Sequence, residues 1–224
     1  MKPLTIGIVA EGPTDSMLLA ALIDKLLQGK FRYVEIQPKK SKTGAFGVYG
    51  GGWRGVRAWC QTLAKDSQKF KAHFLQLDLL IIHLDADVAR ENEINCAMPC
   101  PPAQDSCDAL AQLLMNWLGS LIRDEKLVLC LPADNTEAWV LAAYDTQTPY
   151  HNPPQQPLEC VQKPDVIISN QGYKKPRRLL RRKEGKPKKT ARDYQQFIPI
   201  VLENWGKIKQ ICPQAAKFEE ESFA

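Results

Sequence analysis

The sequence predicts an α/β protein, with a parallel sheet flanked by helices and a basic, partly helical C-terminal extension. Short β-branched apolar runs alternate with amphipathic segments through the first 145 residues, which is typical of parallel sheets. Acidic residues follow two of these runs, at the strand ends where open α/β sheets carry their sites. Eleven of the 30 Lys and Arg residues lie between positions 173 and 194.

The elements follow in order. Apolar runs predict strands over residues 4–10, 77–84 and 126–131, and alternation of apolar and polar residues predicts a shorter strand over 31–36. Helical spacing of apolar residues predicts helices over 16–27, 57–70, 107–122 and 136–144. Thr14 or Asp15 is expected to cap the first helix, and Asp134 or Asn135 the fourth. In the extension, a short strand is predicted over 166–168 and a helix over 190–209.

Composition limits the class of protein. The chain has 224 residues, of which 44% are hydrophobic and 25% charged, which excludes a disordered protein, a collagen and a disulfide scaffold. No apolar run reaches the roughly 18 residues of a membrane span, so no membrane partner is expected. Glu11 and Asp15 interrupt the first apolar stretch, which argues against a signal peptide and favours a cytoplasmic protein.

The seven cysteines are scattered and odd in number. In a reducing cytosol most of them are expected to be thiols. Cys96, Cys100 and Cys107 lie close together in sequence, but their spacing does not match the usual zinc motifs. The sequence gives these three no role.

The basic segment from Tyr173 to Tyr194 carries a net charge of +9, whereas the rest of the chain sums to −4. Binding of nucleic-acid phosphates is the commonest use of such a surface. A solvated face, or a docking surface for an acidic partner, is the alternative. The residues predicted to bind nucleic acid are Lys174, Lys175, Arg177, Arg178, Arg181, Arg182 and Lys188.

Carboxylates follow the first and third predicted strands. The first strand ends in Glu11-Gly-Pro-Thr-Asp15 and the third in Asp85-Ala-Asp87. If the third strand continues, alternation points Asp85 and Asp87 the same way, and a divalent cation would relieve their repulsion. Oxygen ligands favour Mg²⁺ or Mn²⁺, with Glu11 as a further ligand or general base. Ordinary caps and turns are the alternative reading.

The Glu-Gly-x-Thr-Asp and Asp-x-Asp pair resembles the signature of the Toprim domain of primases, topoisomerases, recombination mediators and small nucleases. The resemblance implies a compact Rossmann-like sheet in a catalytic core over residues 1–145, followed by an extension over 146–224. It also implies that Asp85 and Asp87 hold Mg²⁺ and that Glu11 acts as a general acid/base or metal-linked carboxylate.

A narrower resemblance begins at Pro132 and includes Glu137-Ala-Trp139. It is similar to small stand-alone Toprim proteins of the OLD (overcoming lysogenisation defect) type, which are encoded beside ABC-type ATPases in bacterial defence islands. Lys188-Lys189-Thr190 and Cys212-Pro extend it. Glu137 is a candidate metal ligand or a capping-box residue. Lys189 is a candidate catalytic residue that stabilises charge on a phosphate.

These patterns predict a Mg²⁺-dependent nuclease of anti-phage defence that works with an ATPase partner. The alternative is a non-catalytic Toprim-fold subunit that binds nucleic acid or regulates such an ATPase. The sequence does not distinguish DNA from RNA or endonuclease from exonuclease. It identifies neither the partner nor the oligomeric state.

Overall fold

The protein is described here by a computed structural model that defines residues 2–39, 47–98, 100–119, 125–144, 157–170 and 179–223. The chain forms two compact units that are interleaved in sequence. The first comprises Met1–Leu84, Asp108–Leu131 and Phe218–Ala224, and the second Asp85–Cys107 and Pro132–Lys217. The division near residue 145 that the sequence indicates stays a prediction.

The first unit contains a four-stranded parallel sheet flanked by helices, which confirms the predicted α/β class. The strand order within the described residues is β2-β1-β3-β4. The strands are β1 (Leu4–Val9), β2 (Phe31–Gln37), β3 (Leu79–His83) and β4 (Leu127–Cys130). The helices are α1 (Pro13–Leu26), α2 (Gly52–Lys65) and α3 (Ser67–Gln76), while α4 (Ala103–Leu118) continues into this unit from the second.

Strand β1 is central because it pairs with β2 on one side and with β3 on the other. Buried on both faces, it reads as a continuous apolar run rather than an alternating one. Neighbouring side chains approach β1 closely at Gly7. A Cβ built at this position would lie 2.7 Å from Cδ1 of Leu77 and 2.8 Å from Cδ1 of Ile36. A larger residue at this position would require the ends of both side chains to shift.

Two helices in this unit differ from the predictions. Helix α1 begins at Pro13 with Gly12 as its N-cap, and not with Thr14 or Asp15 as a cap. The fixed φ of proline suits the first helical position, which explains the earlier start. The helix predicted over 57–70 is two helices, α2 and α3, separated at Asp66.

The second unit is mainly helical. Its α5 (Glu137–Tyr144) is buried on every face and packs against α6 (Pro164–Ser169), α7 (Ala191–Glu203) and α8 (Trp205–Ile211). The rings of Trp139 and Trp205 meet edge to face with centroids 5.4 Å apart. The strand predicted over 166–168 is wrong, because Pro164 starts a helix there.

Two further features complete this unit. Strands β5 (Arg181–Lys183) and β6 (Lys186–Lys188) form an antiparallel hairpin, and α9 (Pro213–Phe223) spans the boundary between the units. Cys100 and Cys160 form a disulfide, so these two are exceptions to the expectation that most of the cysteines are thiols. The fold brings together two cysteines separated by 60 positions, a pairing that local spacing does not reveal.

Candidate functional site

The candidate site begins immediately after β3, where the chain enters the second unit. Asp85 is 6% exposed, and its Oδ1 accepts a hydrogen bond from the Thr136 N–H at 3.2 Å. The Ala86 N–H donates to the Pro132 carbonyl, and the Asp87 N–H donates to the Asp134 carbonyl at 2.9 Å. These bonds fix the Asp-x-Asp segment beside the segment that leads into α5.

Asp85 and Asp87 were expected to point the same way because the third strand would continue through them, and this expectation is wrong. Strand β3 ends at His83, and a 3-10 helix occupies Ala86–Arg90. The two carboxylates are nevertheless close enough for the charge of Asp85 to raise the pKa of Asp87. A tight turn therefore brings them together, where an extended strand was expected to do so.

Three aspartates make this region strongly acidic. Burial, followed by the charges of Asp85 and Asp134, raises the pKa of Asp87 to about 7, although Arg90 and Lys189 oppose the shift. Burial also raises the pKa of Asp134, despite its ion pair with Arg90. A carboxyl group whose pKa is displaced by burial and like charge is a common feature of functional sites.

Asp134 contacts the Asp-x-Asp segment through its carbonyl and Arg90 through its carboxylate. The sequence alone predicted for it only a possible role as a helix cap. Its carboxylate pairs with the Arg90 guanidinium and accepts the Lys163 N–H at 2.9 Å. Its φ of 60° lies in the left-handed region, which is uncommon for a residue with a side chain. Asn135 is the residue that caps α5, through its Oδ1 and the Glu137 N–H.

Glu137 lies at the start of α5 and is fully buried. Its Oε2 lies 2.7 Å from Nζ of Lys189, and its Oε1 accepts a hydrogen bond from the hydroxyl of Tyr194. Its prediction as a metal ligand stays a prediction, but the structure gives it another role, which is to hold Lys189. Because Lys189 also lowers the pKa of Asp87, its ammonium group lies within electrostatic reach of the carboxylates.

The first turn of α7 positions Lys189 and Tyr194. Thr190 is the N-cap: its Oγ1 accepts the Asp193 N–H and donates to Oδ2 of Asp193 at 2.6 Å. This reciprocal arrangement resembles a capping box and fixes the direction in which the chain enters the helix. Lys189 precedes the cap and Tyr194 lies on the first turn, so one local motif orients both side chains toward Glu137.

The described part of the basic segment is the β5–β6 hairpin. Its turn, Glu184-Gly185, has positive φ at both residues, as a type I′ turn requires. Arg181 pairs with Asp193 at 3.3 Å, and Arg182 donates to Oδ1 of Asn170 at 2.9 Å. Lys183, Lys186 and Lys188 are exposed. Four residues predicted to bind nucleic acid lie outside the described residues: Lys174, Lys175, Arg177 and Arg178.

Glu11 belongs to the first unit. It follows β1, and its carbonyl oxygen accepts a hydrogen bond from the Gly52 N–H at 2.9 Å. The predicted neighbourhood of the first and third strands is confirmed, because β1 pairs directly with β3. The predicted role of Glu11 as a ligand or general base stays a prediction.

The donor set around Asp87 suits a hard divalent cation. The ligands of that cation would be carboxylate oxygens, which Mg²⁺ and Mn²⁺ prefer, and its charge would offset the repulsion among Asp85, Asp87 and Asp134. Across the described residues, no three Cys, His, Asp or Glu side chains are arranged as a ready metal site. Mg²⁺ usually takes only one or two protein carboxylates and keeps several waters, so Asp85 and Asp87 fit it as a pair.

Sequence reasoning missed Arg90 and Asp134 as site residues and treated Tyr194 only as part of the basic segment. The available signal was weak: an Asp-Asn pair after Pro132 reads as a turn. The fold alone brings Tyr194 to Glu137, across 57 positions of sequence.

Comparisons with known proteins give no further assignment: no family model matches the chain, nor does any curated protein or solved structure. Among the described helices, none is both long and apolar enough to cross a membrane.

Proposed function

We propose that this chain is a divalent-metal-dependent nuclease that hydrolyses phosphodiester bonds of DNA or RNA. The observation that supports the proposal most is the group of Asp85, Asp87 and Asp134, of which Asp85 and Asp134 are buried and Asp87 is half-buried, and in which the pKa of Asp87 is raised to about 7. In such a group burial and like charge both disfavour ionisation, and a bound divalent cation would offset both effects.

Asp85 and Asp87 are the residues proposed to hold Mg²⁺ or Mn²⁺. The Thr136 N–H orients Asp85, and the backbone of Asp134 fixes Asp87. A divalent cation there supplies charge neutralisation at the phosphate and makes an attacking water more acidic.

Lys189 is the proposed electrostatic catalyst. Its ammonium group balances the negative charge that develops on the phosphoryl oxygens as the bond to the leaving oxygen lengthens. Glu137 limits its movement, and Tyr194 in turn fixes Glu137. The three side chains therefore offer a positive charge that does not need to reorganise during the reaction.

The biological setting of the proposal comes from the resemblance to OLD-type Toprim proteins. It implies a cytoplasmic anti-phage defence nuclease with an ABC-type ATPase partner and a Toprim core in which Glu11 also takes part. The exposed lysines of the hairpin provide a surface for nucleic-acid phosphates.

One observation favours the alternative of a non-catalytic nucleic-acid-binding or regulatory subunit. Both carboxylate oxygens of Glu137 are engaged, by Lys189 and by Tyr194, so this residue is already satisfied without a metal. A subunit of that kind would bind nucleic acid without Mg²⁺ and would not cleave it, with or without the ATPase.

Metal-dependent cleavage by purified protein, alone and with the ATPase, tests the proposal. Asp85→Asn and Asp87→Asn should abolish cleavage, because an amide does not neutralise a cation. The folded state should survive, since the amide oxygen introduced by Asp85→Asn can still accept the Thr136 N–H. Asp105→Asn, at an exposed position of α4, is the matched control and should cleave normally. Equal cleavage by all four proteins would contradict the proposal.

A further inference from the structure

The second unit contains a cavity of about 300 Å³ beside the aspartate cluster. Its walls come from the 3-10 helix that carries Asp87, from the first turn of α4 and from the two chain segments that the Cys100–Cys160 disulfide joins. This volume lies at the lower end of the range for small-molecule sites, roughly 300–1,000 Å³.

The cavity shares Asp134 with the candidate site. Asp134 lines the cavity, and its carbonyl accepts the Asp87 N–H. Arg90, which pairs with Asp134, lines it as well. A group in the cavity would therefore lie beside Asp134, whose backbone is hydrogen-bonded to that of Asp87, one of the two proposed metal ligands.

The lining indicates what kind of group fits. Small and apolar side chains form part of the wall, including Met98, Ala103 and Ala133, and Ser106 and Glu159 add polar atoms. Glu159 is 3% exposed, and its Oε1 accepts the Gln214 N–H at 2.9 Å. The carboxyl groups of the lining residues Asp134 and Glu159 disfavour a phosphate inside, since Arg90, which also lines the cavity, is paired with Asp134. An uncharged heterocycle with polar edges suits both the apolar and the polar parts of the wall.

We propose that this cavity receives an unstacked nucleobase next to the scissile phosphate, so that the substrate is single-stranded nucleic acid or a frayed end. The inference rests on the proposed function, because it takes the phosphate to lie at Asp85 and Asp87. A base within a duplex is paired and stacked, and removing it costs a few kcal/mol. A base that is already unpaired enters without that cost, and this difference selects the substrate.

Photocrosslinking on the wild-type protein tests where the base goes. The probe is a short single-stranded oligodeoxynucleotide that carries 5-iododeoxyuridine, bound in Ca²⁺ and, in parallel, in EDTA, with the disulfide intact. Mass spectrometry should locate the crosslink on the peptide that contains Met98. Crosslinks confined to other sites, such as Tyr49 and Trp59 of the first unit, would overturn the inference.

Filling the cavity provides a second test. Ala103→Leu should weaken binding of the single-stranded probe by about ten-fold or more, the change expected if the buried base contributes roughly 1.4 kcal/mol. Ala109→Leu, on the same helix but away from the cavity, is the matched control. Unchanged affinity in a folded Ala103→Leu protein would overturn the inference. If that variant does not fold, the crosslink on the wild-type protein decides.

The two proposals fail in different ways. A crosslink at Met98 in a protein that never cleaves would support the cavity and contradict the nuclease. Equal cleavage of paired and single-stranded substrates, with no crosslink at Met98, would contradict the cavity and leave the nuclease standing.

Discussion

Nζ of Lys189 lies 2.7 Å from Oε2 of Glu137, a carboxylate that is fully buried, whereas the lysine side chain is 30% exposed. The pair joins the start of α7 to the start of α5, and the hydroxyl of Tyr194 completes it from the same turn of α7. This ion pair thus stabilises the second unit and also keeps the ammonium group of Lys189 near Asp87.

Removing the lysine should therefore be costly for stability. Lys189→Met leaves the Glu137 carboxylate buried without its cation, and we expect the free energy of unfolding to fall by about 3 kcal/mol. Adding Glu137→Gln should restore much of that loss, because the buried charge is then gone. Urea denaturation of the wild type, both single variants and the double variant measures the coupling. Additive losses would show that the two side chains do not interact.

The stability of the protein should depend on pH through Asp87. Its pKa in the folded state, about 7, lies above the ordinary value of 3.8, so the folded protein retains a proton that the unfolded chain releases. The free energy of unfolding should consequently fall as pH rises from about 4 to about 7. Asp87→Asn should reduce this fall and melt at a higher temperature than wild type at pH 8.

Two comparisons make this pH experiment specific. Burial also raises the pKa of Glu159 to about 7, so Glu159→Gln should remove a separate part of the same fall. Mg²⁺ should reduce the wild-type fall, because a bound cation favours ionised Asp87. Melting curves for Asp87→Asn that follow the wild type at every pH would contradict the assignment.

Reduction should destabilise the second unit. The Cys100–Cys160 disulfide closes a loop across 60 positions, for which the chain-entropy model gives a stabilisation of about 4 kcal/mol. Cys100→Ser should lose up to that amount in oxidising buffer, and reductant should lower the wild type to the same level. Cys96→Ser is the control. Titration of the denatured oxidised protein should find five thiols, those outside the disulfide, and seven thiols would show that it does not form.

The hairpin lysines should contribute to nucleic-acid binding through charge. Lys186→Gln with Lys188→Gln should flatten the slope of log affinity against log salt by up to about 1.4 on a single strand, at roughly 0.7 per phosphate contact. Lys25→Gln with Lys30→Gln removes the same charge from the first unit and should leave the slope unchanged. An equal effect of the two pairs would show that only net charge matters.

Arginine variants in the hairpin need a different interpretation. Arg181 pairs with Asp193, and Arg182 bonds to Asn170, so replacing them also loosens the hairpin. A binding defect in those variants would combine lost phosphate contacts with lost structure. The lysines test the phosphate contacts alone.

The sequence by itself determined the sheet. Apolar, β-branched runs at Leu4–Val9 and Leu79–His83 specify buried strands because such segments lower their free energy only when covered on both faces. Local signals of this kind depend on neighbouring residues, so they also placed Asp85 and Asp87 at a strand end and Thr190 at a helix start. The prediction was wrong at 166–168, where Pro164 and the packing of α6 against α5 override a short apolar run.

Only the tertiary structure decided which side chains meet. Arg90 reaches Asp134 across 44 positions, Tyr194 reaches Glu137 across 57, and Cys100 reaches Cys160 across 60. No local pattern encodes these pairs, because each depends on how α5, α7 and the segment after β3 pack together. The raised pKa of Asp87 has the same origin. Nothing in the local sequence distinguishes this aspartate from an ordinary one, whereas burial beside two other carboxylates raises its pKa to about 7.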